Sequence, residues 1–353
     1  MRCLNVFTLT AFLAVAACPA SAWAQRGFVP EHVRAQTAQS LTQTEVESAQ
    51  FVTPSVVEVT PRYWADVQYL LWWTKGAKAP PLVTTSPATT PAGTAGVLGQ
   101  PGTTVLFGGE HLHDDTQPGA RFTLGGWLGA NQRVGVELNY LFLDEDVDLF
   151  HASGNAVPVL ARPFFNASPS KNVQDAFRSA YPGAEAGMLQ AGATTRFQTF
   201  EFTLRKLELQ TETFSIDSLI GYRYAELQDH IRIDSTSTLL SGAGMGTTLV
   251  QFDDFATRNT FHGGVLGLLI NWRPSPIWST EFVGKAGLGQ TRARTNIYGQ
   301  SVTTAGGVSA QSRGGLYTQG TNLGVFNQDD FSVLSELGLK LRRELAYGWS
   351  ATM

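Results

Sequence analysis

The sequence predicts an all-β chain: an antiparallel transmembrane β-barrel of about ten to twelve strands with long outer loops. The stretch 133–143, RVGVELNYLFL, carries most of this reading. It places Val134, Val136, Leu138, Tyr140 and Phe142 on one face of an extended strand, and Arg133, Gly135, Glu137 and Asn139 on the other. Strict alternation over this length means that one face meets an apolar medium and the other a polar one. Similar stretches recur along the chain behind a secretion-type N-terminus, and the turns between them alternate between short and long, as in membrane barrels.

Composition agrees. Of the 353 residues only 15% are charged, against about 25% in an average soluble domain. Mean hydropathy is −0.06, far below that of a helical membrane protein, because a barrel mixes lipid-facing residues with polar ones. A net charge of −4 argues against a nucleic-acid binder, which would show a basic face.

The N-terminus reads as a secretory signal peptide over 1–24, with Arg2 as the positive charge, 6–17 as the apolar core and Ala22-Trp23-Ala24 as the cleavage site. Val15-Ala16-Ala17-Cys18 resembles a lipobox that would lipidate Cys18; Pro19 directly after it is unusual there, and cleavage after Ala24 is preferred. Both cysteines, Cys3 and Cys18, lie in this segment. A chain cleaved after Ala24 has no disulfide, thiol catalysis or cysteine–zinc site.

Residues 25–61 lack apolar periodicity and read as a flexible periplasmic segment, leaving 62–353 for the barrel. Within it, 63–73 presents Tyr63, Ala65, Val67, Tyr69, Leu71 and Trp73 on one face. Residues 119–128 and 133–143 form a hairpin about the turn 129–132. The segment 144–193, with four prolines, reads as a long irregular insert with a weak helical turn near 173–180. Strands resume at 196–210, where a change of parity predicts a bulge near Arg205 and Lys206. They continue at 214–226, 230–234, 257–272, 278–290 with a possible extension over 292–298, and 331–341. The Gly/Ser/Thr-rich runs 235–250 and 303–328 read as two further long loops. Aromatics near strand ends (Tyr63, Trp64, Trp72, Trp73, Trp127, Trp272, Trp278, Trp349) suggest interfacial girdles. A soluble β-sandwich also alternates, but charges on nearly every inward face suit a wet lumen better.

At this point the residues carry a resemblance. YWADVQYLLWWTKG (63–76), LVTTSP (82–87), GVLGQPGTTVLFGG (96–109), RFTLGGWL (121–128), RVGVELNYLFL (133–143) and SIDSLIGYRYAEL (215–227) follow one another in order. The ordered series resembles the putative beta-barrel porin-7 family of bacterial outer-membrane proteins. The resemblance implies an outer-membrane barrel and brings no catalytic residues with it. Such barrels usually end on a strand with a terminal aromatic, whereas this chain stops at Met353 in what reads as the start of a closing strand. The expectation is a barrel lacking its last strand, one or more short of an even number.

Two clusters look like metal sites. His111, His113, Asp114 and Asp115 form an HLHDD run, and Asp144, Glu145, Asp146 and Asp148 an acidic one. The first lacks a third distant ligand and the second lacks the glycine and terminal glutamate of a calcium loop, so solvated loops are the preferred reading and no metal is assigned. No G-x-S-x-G occurs, the 242–246 glycine run is a loop rather than a phosphate cradle, and the histidines give no catalytic spacing; the chain is not expected to be an enzyme or to hold a cofactor. By strand parity the lumen should be lined by Arg121, Glu137, Glu201, Arg223, Glu281, Lys285, Glu336 and Lys340. Mixed signs predict porin-like passage of small polar solutes or ions with weak selectivity. The alternatives are a non-conducting surface barrel displaying 144–193 for adhesion, plugged by charges paired across its interior, and a secreted carbohydrate-binding sandwich. The expected partners are outer-membrane lipid, the barrel insertion machinery and small polar solutes, with no nucleic acid.

Overall fold

The computed structural model describes residues 62–345 and 350–352. The expected signal peptide, the 25–61 segment, Trp349 and Met353 lie outside the described residues. Among the described residues there are seventeen strands and no helix. In chain order they are β1 (Tyr63–Trp73), β2 (Ala77–Lys78), β3 (Val83–Thr85), β4 (Thr104–Phe107), β5 (His111–Leu112), β6 (Thr116–Leu128), β7 (Val134–Leu143), β8 (Asp146–Ser153) and β9 (Leu160–Asn166). Then come β10 (Val173–Ala180), β11 (Glu185–Gln210), β12 (Phe214–Leu239), β13 (Thr248–Trp272), β14 (Trp278–Ala305), β15 (Val308–Arg313), β16 (Gly324–Glu344) and β17 (Ser350–Thr352).

One antiparallel sheet dominates, in the order β1-β6-β7-β11-β12-β13-β14-β16-β17, with β8 continuing beside β11 and β15 folded back on β14. Its strands follow one another through short turns at one end, the turn end. There β6 and β7 join through a turn in which Gly129 has φ +75° and Gln132 φ +48°, a conformation glycine adopts without steric cost. At the other end, the loop end, β3, β4, β9 and β10 form a small second sheet in the order β10-β9-β3-β4, and β2 pairs with β5. No ladder joins β1 to β16 or β17 among the described residues. The sheet nevertheless curls far enough for Arg121 of β6 to hydrogen-bond Glu336 of β16 across its inner face.

The alternation of the sequence is realised directly. Leu138, Ile220 and Leu337 are 40%, 57% and 69% exposed, and they belong to an outward apolar belt on every long strand. On β7 the belt is Val134, Leu138, Tyr140 and Phe142; on β11 it is Phe200, Phe202 and Leu204; on β16 it is Phe331, Val333, Leu337, Leu339 and Leu341. A soluble monomer rarely exposes an apolar patch beyond a few hundred Å², about 300–600 at most. The belt also tilts. Through successive pairings Tyr63, at the turn end of β1, is level with Ser335, yet the apolar stripe of β16 continues down to Leu341. Strands inclined to the axis of a curled sheet produce this offset.

Five readings of the sequence require correction. Residues 144–193 are not an irregular insert: they form β8, β9, β10 and the start of β11, and 173–180 is strand rather than a helical turn. Alternation is absent there because β9 is buried on both faces, with Leu160, Ala161, Arg162 and Pro163 all covered. The 230–234 strand is part of the continuous β12. The loops at 235–250 and 303–328 shrink to 240–247 and to short connections around β15. These strand portions lie beyond the belt and are rich in Ser and Thr, so no sustained apolar period marks them; Thr238 and Thr248 hydroxyls lie 3.0 Å apart across the ladder instead. The bulge falls between Leu207 and Leu209, two residues past its expected place. Finally, Trp64, Trp72 and Trp127 are not girdle residues. Their parity turns them inward, while Tyr63, Trp73, Trp272 and Trp278 face out.

The facing of β7 is directly testable. An arginine on a lipid-facing position near the bilayer midplane costs about 2–4 kcal/mol, whereas an interior position tolerates charge. Leu138→Arg is expected to reduce the yield of heat-modifiable folded protein and Glu137→Arg to leave it folded. The opposite result on gel mobility would place the apolar face inside.

Candidate functional site

The interior of the curled sheet is where the charges gather. Arg121, Glu201, Arg223, Lys285 and Glu336 come from β6, β11, β12, β14 and β16, and the structure joins all five. Arg121 Nη2 donates to Glu336 Oε1 at 3.2 Å. Arg223 Nε donates to Glu201 Oε2 at 2.7 Å, and its Nη2 donates to Glu336. Lys285 Nζ donates to the other oxygen of Glu201. The result is one chain of alternating charge, Arg121–Glu336–Arg223–Glu201–Lys285, running from one side of the interior to the other. Glu201, Lys285 and Arg223 keep only 4%, 8% and 10% of their side-chain surface exposed. At this level ion-paired side chains span the interior.

The remaining three expected lining residues also face inward but stand apart. Lys340 and Glu281 pair with each other at 3.2 Å, nearer the turn end. Glu137 accepts a hydrogen bond from Asn139 Nδ2 at 2.9 Å, and Asn139 in turn accepts one from Thr123 at 2.6 Å. A further interior layer involves residues the lining set did not include. Arg205 donates to Asp217 Oδ2 at 2.6 Å, and its guanidinium lies 5.6 and 5.1 Å from the rings of Trp64 and Trp127. Asp217 shares the parity of Arg223, so it was legible; the two tryptophans were misassigned to the surface by their place at strand ends.

At the loop end the interior is covered. Leu82, Val83 and Leu160 of the small sheet pack with Leu189, Ala191 and Ile233 on the inner face of β11 and β12. Asp253 of β13 fastens this cover. It accepts hydrogen bonds from the backbone N–H groups of Leu316, Tyr317 and Thr318 at 3.1, 3.0 and 2.7 Å, and from the Thr318 hydroxyl at 2.6 Å. Arg162 of β9 completes the set with an ion pair to Asp253 and a 3.2 Å hydrogen bond to Ser235 Oγ. Both members of the pair are fully buried. The Arg162 guanidinium also lies 4.6 Å from the Tyr317 ring centroid. A Cβ at Gly315 would fall 2.3 Å from Asp253 Oδ1, so only glycine lets the 314–319 backbone wrap the carboxylate this closely.

Burial alone would raise the Asp253 pKa, but Arg162 and the Thr318 hydrogen bonds hold it below its ordinary 3.8. Burial pushes Tyr317 up to about 12, so its hydroxyl stays protonated and donates to the carbonyls of Leu82 and Pro163, 3.3 and 3.1 Å away.

The two metal-like clusters meet each other. His113 has φ +59°, which turns the chain away from β5 and from His111. Its Nδ1 lies 3.4 Å from Asp146 Oδ2 and 3.5 Å from Asp148 Oδ2, and its backbone N–H donates to Asp148 at 3.1 Å. This ties the HLHDD segment to the start of β8. Among the described residues no group of three or more His, Cys, Asp or Glu is arranged to hold a metal ion.

Removing one member of a buried ion pair costs about 3–5 kcal/mol, because the other charge is left unpaired. Asp253→Asn is therefore expected to loosen the small sheet, read as faster proteolytic cleavage between β9 and β10 while the belt stays protected. The pH dependence follows from the lowered pKa of Asp253. Its stabilising contribution is complete above 3.8 and is lost as pH falls through the lower value of the folded state. Acidification through that range should reproduce the proteolytic pattern of Asp253→Asn in the wild type and add little in the variant.

No curated protein and no solved structure matches the chain. A family does: the one described as Putative beta barrel porin-7 matches residues 64–353, which takes in every long strand of the sheet, the belt and the ion-paired interior. With an all-β antiparallel architecture and a match over most of its length, the chain belongs to the putative beta barrel porin-7 family.

Proposed function

We propose that the protein is an outer-membrane β-barrel that presents an ordered cap at the cell surface and keeps its lumen shut with its own charges. The observation that carries this reading is the Arg121–Glu336–Arg223–Glu201–Lys285 chain, which ties together side chains from five strands across the interior. Several features support it. The apolar stripe of β16 spans about ten residues, the length a tilted strand needs to cross the hydrocarbon layer. Eight strands of ten residues or more, β1, β6, β7, β11, β12, β13, β14 and β16, run side by side in the main sheet among the described residues, with the short β17 next to β16. A barrel of about eight strands has an interior just wide enough for side chains to fill. Strands β11 to β14 run to 25 residues or more and rise well past the belt, where the small sheet covers them.

In this reading the loop end is a contact surface, which suits adhesion. The partners are outer-membrane lipid and the machinery that inserts barrels, and the chain performs no catalysis. The family description favours a second reading, passive passage of small polar solutes or ions. A lumen lined by charges of both signs would then sieve by size with weak ion selectivity.

Planar-bilayer recordings with the full-length protein separate the two. The closed-lumen reading expects no conductance from the wild type, and ohmic steps from Glu336→Ala, in which the shared partner of Arg121 and Arg223 is gone. Stable conductance steps from the wild type would overturn it in favour of passage. Heat-modifiable mobility of both proteins establishes that each is folded.

A further inference from the structure

The outer face holds a second concentration of charge, just beyond the belt. The edge of the belt toward the loop end is marked by polar aromatics. Tyr222 Oη and His262 Nδ1 lie 2.6 Å apart, the Tyr224 and His262 rings meet edge to face at 5.1 Å, and Tyr140 Oη donates to Gln198 at 3.2 Å. Aromatic side chains with a polar tip settle at the headgroup level of a bilayer. Four residues further along the strands, beyond the intervening Gln198, Glu226, Thr260 and Arg292, the residues Arg196, Gln228, Arg258, Arg294 and Asn327 pair in one unbroken row across β11, β12, β13, β14 and β16. All three arginines are exposed and share the outward parity of the belt.

This row is costly as it stands. Arg258 and Arg294 are directly opposed cross-strand partners, and like charges in that position repel. Within the row Arg258 pairs with Glu226, and of the cations nearby Arg292 pairs with Asp329 and Arg232 with Asp254. Arg196 and Arg294 make no hydrogen bond or ion pair among the described residues. With Arg258, they line a cleft of about 580 Å³ that also takes in His230 and Asn296, with Glu145 and Asp229 as its acidic residues. Neighbouring strands are about 4.8 Å apart, so the row offers guanidinium forks spaced across a headgroup-sized width. Guanidinium forks match phosphate oxygens two at a time.

The geometry points to a docking site for the phosphate-bearing headgroup of an outer-leaflet lipid, held by Arg196, Arg258 and Arg294. The acyl chains of that lipid lie along the Phe200, Phe202 and Tyr222 surface of the belt, past the intervening level of Gln198, Glu226, Thr260 and Arg292. A lipid is favoured over a free anion because the arginine row shares the outward face of the belt and stands on its loop-end side, beyond the aromatic edge. The site rests on the membrane reading of the belt and names the lipid chemistry that the reading leaves open.

The test refolds the full-length protein into vesicles of phosphatidylcholine alone, phosphatidylcholine doped with phosphatidylglycerol, and phosphatidylcholine with added inorganic phosphate. The readouts are the midpoint of the heat-modifiable transition and the phospholipid retained after detergent extraction. The wild type is expected to show a higher midpoint with phosphatidylglycerol and to retain it selectively. Arg196→Gln and Arg294→Gln should each weaken that preference roughly fivefold, the worth of one arginine at an anionic surface. Arg313→Gln, the same loss of charge on the remote β15, should not. Equal behaviour in neutral and anionic vesicles overturns the site, as does an equal loss in Arg313→Gln. A midpoint raised as much by inorganic phosphate reduces it to a general anion site and overturns the lipid assignment. Failure to fold into any vesicle would count against the membrane reading itself and take the site with it.

Discussion

A strand has only two faces, and this chain commits the outer one to an apolar belt. Every charge placed between belt positions is thereby sent inside, where it has to find a partner or remain hydrated. Glu201 sits between Phe200 and Phe202, and Arg223 between Tyr222 and Tyr224, so neither side chain has access to the outside. The Glu201–Arg223–Glu336 linkage is the consequence. The same constraint explains why the interior ion pairs reach across the sheet rather than only to the next strand. Once the sheet curls, inward side chains from distant strands are neighbours.

The second fixed point is Asp253. It lies on β13 beyond the belt, where nothing outside demands apolar residues and both faces of the long strands are free to be polar. A buried carboxylate there is tolerable because four donors from 316–318 and the Arg162 guanidinium surround it. One side chain therefore joins the main sheet, the small sheet and the segment between β15 and β16. The loop end is ordered through this junction as well as through its apolar core. The two ends of the long strands thus obey different rules: burial of apolar contacts and ion pairs inside the belt, and a hydrogen-bonded hub beyond it.

The outer arginine row follows from register. Arg196, Arg258 and Arg294 are separated by dozens of residues, and each is unexceptional in its own strand. Only the pairing of β11 with β12, β12 with β13 and β13 with β14 brings them to one level. The interior network has the same origin. Parity assigned Arg121, Glu201, Arg223, Lys285 and Glu336 to the inner face, but which of them touch depends on the curl and tilt of the sheet.

The sequence by itself determined the all-β antiparallel class, the bounds of β1, the β6–β7 hairpin, and the facing of the clearest belt strands, such as β1, β7 and β16. An apolar medium on one side imprints a period of two that can be read without any partner strand. What the sequence did not determine is the structure of 144–193, the full length of β11 to β16, or the inward turn of Trp64, Trp72 and Trp127. In 144–193 and along the outer reaches of β11 to β16 no sustained apolar period survives although the ladder continues, whereas the three tryptophans were read by their place at strand ends against a parity that already turned them inward. Tertiary structure alone decided that Arg121 and Glu336 meet, that Arg162 reaches Asp253 from a separate sheet, and that three distant arginines share a row. Those contacts depend on pairing register and sheet curvature, which are set between strands rather than within any one of them.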